Sequence, residues 1–232
     1  ARLSAHMVEH LLLGDLAPLL LVLGLSGPLL APVLRTEPFR HLRPLSHPVP
    51  AVLLWAAGLY GWHLRAAYEG AVDHPLLHVL EHATFFALGV NLWFALLGPL
   101  PKPAWFNNGA RLGYIVTVKL TAAMLAYGFV WAGTVFYPHY ADTAAQAGRD
   151  ALADQSAAGA VMLVEQSVVM FALFGWLVAR TLRDAGRRQE LAELATAHGV
   201  ALDEKRIARA VAAGRGDALA HRLRETPQRS AQ

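Results

Sequence analysis

Long apolar runs alternate with short polar segments over the first 180 residues of the chain. A helix that crosses a bilayer needs about 20 mostly apolar residues, and each run is close to that length or exceeds it. The sequence therefore predicts an all-α fold, a polytopic transmembrane helical bundle over 1–180, followed by a basic, helical cytoplasmic tail over 181–232. The five predicted spans lie at about 8–33, 48–66, 76–98, 111–135 and 157–180.

Proline and glycine mark the expected helix boundaries. Pro48 and Pro75 each follow a histidine and are predicted to open a helix, because the first helical position needs no backbone N–H. Pro18 lies inside the first run and predicts a kink there. Gly199 and Gly214 are expected to divide the tail into short helices.

Composition supports a membrane protein. Of the 232 residues, 55% are hydrophobic and only 16% are charged, whereas soluble domains carry about 25% charged residues. The net charge is +3, and a membrane location accounts for this excess of basic residues. A lipid bilayer is therefore expected as a partner, and nucleic acid is not. The absence of cysteine excludes disulfides, cysteine zinc sites and thiol redox chemistry.

The distribution of lysine and arginine predicts the orientation. The segments 34–47, 99–111 and 181–232 are rich in these cations, and the alternate segments carry mainly aspartate and glutamate. The positive-inside rule places the cation-rich segments in the cytoplasm. The N-terminal end of this chain, loop 67–75 and loop 136–156 are then outside a multi-pass plasma-membrane protein.

Seven of the eleven histidines fall at the predicted outer ends of the spans: His6, His10, His63, His74, His78, His82 and His139. Residues four apart share a helix face, so His6 with His10 and His78 with His82 form two pairs that suit a single metal ion. A lone interfacial histidine is more often a solvated polar tip, and the metal hypothesis depends on the two pairs together. Glu9 and Glu81 are either orienting partners of neighbouring imidazoles or solvated charges.

Other polar or soft side chains lie within the spans. A carboxylate such as Asp15 is costly in lipid and is expected to have a partner or a role, whereas Lys119 is expected to reach the membrane surface. Glu165 and Gln166 suit either a contact with another helix or a substrate. Met162 is more typical of apolar packing than of a ligand.

Several motifs occur together in order: SAHMVEHLLL at 4–13, Trp62-His63, HPLLHVLEHATFFALGVNLWF at 74–94, GTVFYPHY at 133–140 and ADQSAAGAVM at 153–162. In these motifs the chain resembles the CtaG family of membrane proteins, the bacterial cytochrome c oxidase assembly factors, over nearly all of 4–180. The resemblance has three departures. Family members usually have one or two further helices before SAHM, Asp15 stands where the family is apolar, and no family motif follows residue 183.

The resemblance implies a metal chaperone that supplies copper to a subunit of a haem–copper oxidase. The positions that match the family's histidines are His6, His10, His63, His78 and His82. Met7, beside the first pair, and Asp154, at the outer start of the last span, complete the candidate metal residues. Imidazole with thioether favours copper, and imidazole alone also suits zinc or haem iron. The expected role is coordination, so the chain is not expected to be an enzyme.

Two other function classes are weighed against this one. In the first, a haem-binding membrane electron carrier uses histidines of two helices as axial ligands, but closely spaced pairs at one end fit a small ion better. In the second, a transporter uses Asp15, Lys119 or Glu165 as coupling groups, but no inverted repeat is visible. The sequence leaves open whether the metal site lies within one chain or between the chains of a homo-oligomer.

Overall fold

The computed structural model describes residues 2–25, 47–98, 102–212 and 214–225. Within these ranges all regular structure is helical, and the chain forms two compact units, Ala1–Ala172 and Leu173–Gln232. The boundary predicted from the sequence, at residue 180, lies in the same long helix as this division. The helices are α1 (Leu3–Gly24), α2 (Pro48–Trp62), α3 (Arg65–Asp73), α4 (Pro75–Leu97), α5 (Asn108–Trp131), α6 (Pro138–Gln146), α7 (Ala151–Ala197), α8 (Glu204–Ala212) and α9 (Gly216–Glu225).

Four of these helices, α1, α4, α5 and α7, are long and apolar enough to cross a membrane, and α2 is a shorter apolar helix of 15 residues. Large apolar side chains cover much of their surface. Leu76 is 85% exposed and Met124 is 71% exposed, which is typical of side chains that contact lipid. The predicted fold class, a polytopic helical membrane bundle, is confirmed, and its five spans correspond to these five helices.

The helix ends agree with the sequence where proline or a polar cap sets them. Helices α2 and α4 begin at Pro48 and Pro75 as predicted. The predicted continuation of the second span to residue 66 is wrong, since α2 ends at Trp62 and a separate amphipathic helix, α3, begins at Arg65. Helix α1 begins at Leu3, earlier than predicted. The predicted end of the first span and most of loop 34–47 lie outside the described residues.

Helix α7 is much longer than the predicted span 157–180. Asp150 caps its first turn by accepting hydrogen bonds from the backbone N–H groups of Leu152 and Ala153, at 2.8 and 3.2 Å. The helix ends before Gly199, which has a φ of 66°, and Gly214 has a φ of 67°. The breaks predicted at these two glycines are confirmed.

In the second unit, the C-terminal part of α7 packs with α8 and α9. The apolar contacts there are made by Leu191, Ile207 and Leu223 with their neighbours. Arg187 adds ion pairs to Glu190 and Asp217.

In the first unit, helix α1 contains an irregular turn that carries a buried ion pair. A π-helical turn spans Leu12–Leu16, directly before Pro18, where the sequence predicts a kink. The carboxylate of Asp15 in this turn lies 2.9 Å from the Lys119 ammonium, and Lys119 is only 5% exposed. The prediction that Lys119 reaches the membrane surface is therefore wrong, because the buried Asp15 carboxylate provides its partner. The indole N–H of Trp93 donates to the Asp15 carbonyl at 3.2 Å and joins α4 to the same turn.

Helices α1 and α4 approach each other at two glycines. A Cβ atom placed on Gly89 of α4 would lie 2.1 Å from the Gly14 carbonyl oxygen and 2.9 Å from Pro18 Cγ. Pro18 has no N–H to donate to that carbonyl, the usual i to i−4 bond of a helix. Small residues let membrane helices come this close, and van der Waals packing then holds them together. The approach sets the distance between the two helices that carry the histidine pairs.

We predict that Gly89→Ala forces α1 away from α4. The clash is with backbone atoms, which cannot rotate aside, so we expect a loss of about 1–3 kcal/mol, in the range of other overpacked sites. Thermal unfolding of the purified protein in detergent measures the effect. Gly128→Ala on α5 is the matched control, since nothing lies within 4 Å of its added Cβ atom. An unfolding midpoint equal to that of the control would contradict the role of Gly89.

Candidate metal centre

The two histidine pairs predicted from the sequence converge in the structure. The ring centroids lie 4.2 Å apart within the His6–His10 pair and 4.2 Å apart within the His78–His82 pair. Between the helices, His6 stacks on His78 at 5.4 Å, and His10 lies 5.0 Å from His82. The facing surfaces of α1 and α4 therefore bring four imidazoles into one group.

A carboxylate completes this group. Glu81, on the same face of α4, is only 1% exposed, and its Oε2 atom lies 3.7 Å from His10 Nε2. Each of the five side chains offers one ligand atom, and these atoms lie within 4.8 Å of one another. We call this set the histidine cluster: His6, His10, His78, Glu81 and His82. The sequence-based interpretation of Glu81 is an orienting partner or a solvated charge, and it misses Glu81 as a candidate ligand. The signal that could have found it is the spacing of His78, Glu81 and His82, which places all three residues on one helix face.

The chemistry of the cluster fits a metal ion. The Nε2 atoms of the four histidines and both Glu81 oxygens are buried and have no hydrogen-bond partner in the part of the chain that the structure describes. Buried polar atoms nearly always have a partner. Metal–nitrogen distances of about 2.0–2.1 Å allow two ligands of one ion to lie up to about 4.2 Å apart, so the 4.8 Å spread exceeds this limit by well under 1 Å. Small side-chain rotations are enough to bring the donors around one ion.

His63 and Met7 lie beside the cluster rather than within it. The His63 ring is 6.4 Å from that of His10, and its Nδ1 atom is 2.7 Å from the Leu59 carbonyl oxygen. That contact fits a donating Nδ1–H and leaves the buried Nε2 atom without a partner. Met7 is fully buried in the apolar core of the first unit together with Met162. A cavity that adjoins the cluster is lined by Met7, Met162, His63 and His10.

Asp154 has a different set of contacts. One carboxylate oxygen accepts a hydrogen bond from the Leu3 backbone N–H at 2.7 Å, and the other accepts one from Ser4 Oγ at 2.6 Å. An acidic group at a helix N-terminus satisfies a free N–H and interacts favourably with the helix dipole. These contacts favour a capping role for Asp154, which fixes the start of α1 and hence the position of His6. His74 and His139 are exposed and lie outside the cluster.

Tyrosines form an aromatic wall next to the cluster. Tyr68 stacks on Tyr137 at 4.0 Å and lies 5.5 Å from the His6 ring. Tyr137 donates its hydroxyl hydrogen to the His63 carbonyl oxygen at 2.9 Å. Burial raises the pKa of Tyr68 and of Tyr137 above the ordinary value for tyrosine. The wall therefore stays neutral and keeps water away from the imidazoles on that side.

We predict that Asp154→Ala destabilises the protein without removing a metal ligand. Loss of a cap typically costs about 0.5–2 kcal/mol, so the thermal unfolding midpoint falls. The number of zinc ions bound per chain, measured by elemental analysis after gel filtration, stays the same. Asp150→Ala is the control, since Asp150 also accepts hydrogen bonds at a helix start, but from N–H groups of α7 rather than of α1. A lost zinc ion in the Asp154 variant alone would return Asp154 to the ligand set.

Comparison with known proteins identifies a family whose model matches most of the chain. Residues 1–184, which include every residue of the cluster, match the family model described as cytochrome c oxidase caa3 assembly factor. The curated relatives include the uncharacterized protein Mb0105 of Mycobacterium bovis and the uncharacterized protein MT0111 of Mycobacterium tuberculosis. Each is 28% identical over 137 residues, which cover 51% of this chain and 20% of the relative. The chain thus matches about a fifth of the length of these relatives. No solved structure matches it.

Proposed function

Because the chain belongs to the cytochrome c oxidase caa3 assembly factor family, we propose that its histidine cluster binds a copper ion and assists delivery of that ion to an oxidase subunit. The observation that carries the proposal is the convergence of one buried carboxylate with four buried imidazole Nε2 atoms that accept or donate no hydrogen bond among the described residues. Neutral imidazole is a good ligand for copper, and the carboxylate offsets part of the charge of the ion. The family is described as an assembly factor. Binding and release of an ion need no catalysis of bond making, so the proposed role is not that of an enzyme.

The position of the cluster suits exchange with a partner outside the cell. His78 lies in the first turn of α4, and Lys102 follows the other end of that helix, whose 23 residues span about 34 Å. The Lys102 ammonium donates to the Phe94 carbonyl at 2.7 Å, and burial lowers its pKa to about 8. Segment 99–111, one of the cation-rich segments predicted to face the cytoplasm, thus follows the end of α4 opposite the cluster. We infer that the cluster faces outward from a bacterial plasma membrane.

The geometry favours a small ion over haem. A porphyrin held between two axial histidines needs a flat slot between the rings. The His6 and His78 rings stack directly at 5.4 Å, and each pair is in contact along its own helix. All five donors come from one chain, so the proposed site does not require a homo-oligomer. The pairing of Asp15 with Lys119 favours a structural role for both, which weakens the transporter alternative.

We predict that His10→Ala and His78→Ala each lower the affinity for copper and zinc. Even a partner that only orients a ligand is worth about 10–100-fold in affinity, so removal of a ligand is expected to cost at least 100-fold. Competition with a chelator of known affinity measures the change, and His74→Ala is the control because His74 is exposed and outside the cluster. Unchanged occupancy in both variants would overturn the proposed site. A Soret band in the spectrum of the purified protein would support the haem alternative instead.

We predict that deletion of the gene lowers the copper content and activity of the oxidase in membranes. The wild-type gene and the His74→Ala variant restore both quantities, whereas a His78→Ala/His82→Ala double variant restores neither. Immunoblotting of membranes checks that the variants accumulate equally. A deletion strain with full oxidase copper and activity would remove the assembly role, whatever the purified protein binds.

A further inference from the structure

A cavity of about 60 Å³ lies next to the histidine cluster inside the first unit. His10 and His63 line it together with Met7, Met162, Glu165 and Gln166. A water molecule occupies about 30 Å³ in the liquid, so the volume fits one metal ion or one to two waters. The lining combines imidazole, thioether and carboxylate groups, an unusual set for the interior of an apolar bundle.

Several polar atoms that line this cavity have no hydrogen-bond partner among the described residues. They are both oxygens of Glu165, the Gln166 Oε1 atom and the His63 Nε2 atom, and all of them are buried. Gln166 is only 5% exposed. Such atoms on one small cavity indicate a bound species, because each unsatisfied buried group costs free energy.

The charges around the cavity favour a cation. Asp15 also lines it, but its carboxylate is compensated by the Lys119 ammonium at 2.9 Å. Glu165 also lines the cavity and interacts with both the Asp15 carboxylate and the Lys119 ammonium. Two carboxyl groups beside one ammonium leave no excess of positive charge at the cavity, so a cation of low charge is favoured there over an anion.

The soft donors select the cation. The chain has four methionines, and Met7 and Met162 both line this cavity, whereas Met124 is exposed on the surface of α5. Thioether sulfur prefers soft Cu(I) to zinc, and imidazole accepts either. The sequence favours simple apolar packing for Met162, and its place beside Met7, His10 and His63 changes that interpretation.

We propose that this cavity is a second copper subsite, specific for Cu(I), in which Met7 and Met162 bind the ion together with the imidazole of His63 or His10. Glu165 lines the same cavity. The inference rests on the proposed function, since the histidine cluster is the entry point of the ion. His10 borders both places and is the ligand they share. An ion that enters as Cu(I) moves between them without any change of oxidation state.

The test is an anaerobic titration of the purified protein with Cu(I) in competition with a Cu(I)-specific chelator. The wild type is expected to bind two ions, and Met7→Leu and Met162→Leu are expected to bind one. Zinc binding stays at one ion in all three proteins. Leucine in place of methionine conserves volume and usually costs less than about 1.5 kcal/mol, so the variants are expected to fold. Met124→Leu is the matched control and retains two Cu(I) ions.

X-ray absorption at the copper edge provides a second measurement. A copper–sulfur contribution is expected in the wild type and in a His78→Ala/His82→Ala variant, and is expected to weaken in either Met7→Leu or Met162→Leu. Equal Cu(I) number and affinity in the methionine variants and the wild type would overturn the second subsite.

The two sets of variants separate the two proposals. If only the histidine variants lose metal, the histidine cluster stands and the second subsite fails. If only the methionine variants lose Cu(I), the cavity binds Cu(I), but the cluster fails as a metal site and as the entry point of the ion. If neither set loses metal, both proposals fail.

Discussion

The backbone contact between α1 and α4 at Gly14 and Gly89 is the constraint on which the histidine cluster depends. Gly14 lies one helical turn from His10, and Gly89 lies about two turns from His82, so the separation set at the glycines carries over to the imidazoles. In lipid no hydrophobic effect drives two helices together, and close packing of small residues takes its place. The Trp93 hydrogen bond to Asp15 and the Asp154 cap on Leu3 then limit rotation and sliding of α1.

The fold treats its buried polar groups in two distinct ways. Some are paired over long distances along the chain, such as Asp15 with Lys119, and Gln155 with the Phe136 N–H and the Thr134 carbonyl. Other buried polar atoms have no hydrogen-bond partner among the described residues, and most of these lie in the histidine cluster and in the cavity beside it. Hydrogen bonds to these atoms would stabilise the fold, yet the protein does not supply them there. Their concentration in two adjoining places is therefore an argument for ligands rather than for poor packing.

The sequence predicts what depends on local pattern. Apolar run length predicts the spanning helices, proline predicts the starts of α2 and α4, and the four-residue spacing predicts the histidine pairs. It does not predict contacts between distant segments. Lys119 and Asp15 are 104 residues apart and Asp154 and Leu3 are 151 apart, so nothing in the neighbourhood of either residue reveals its partner. Glu81 can be recognised as a metal donor only when the position of α1 is known, because its carboxylate is buried against His10 of that helix.

A surplus of ligands distinguishes a site built for transfer from one built for storage. Structural zinc sites are closed by four ligands held in place, whereas the histidine cluster offers five donors, with His63 and Met7 close by. With a donor to spare, one ligand can leave the ion as another binds, so the coordination number need not fall during a handover. Neutral tyrosines border the cluster on one side, and a site with less water would strengthen each contact to a bound ion. In the proposed copper site, tight binding and fast release would then be compatible, because an incoming donor would replace the ligands of the ion one at a time.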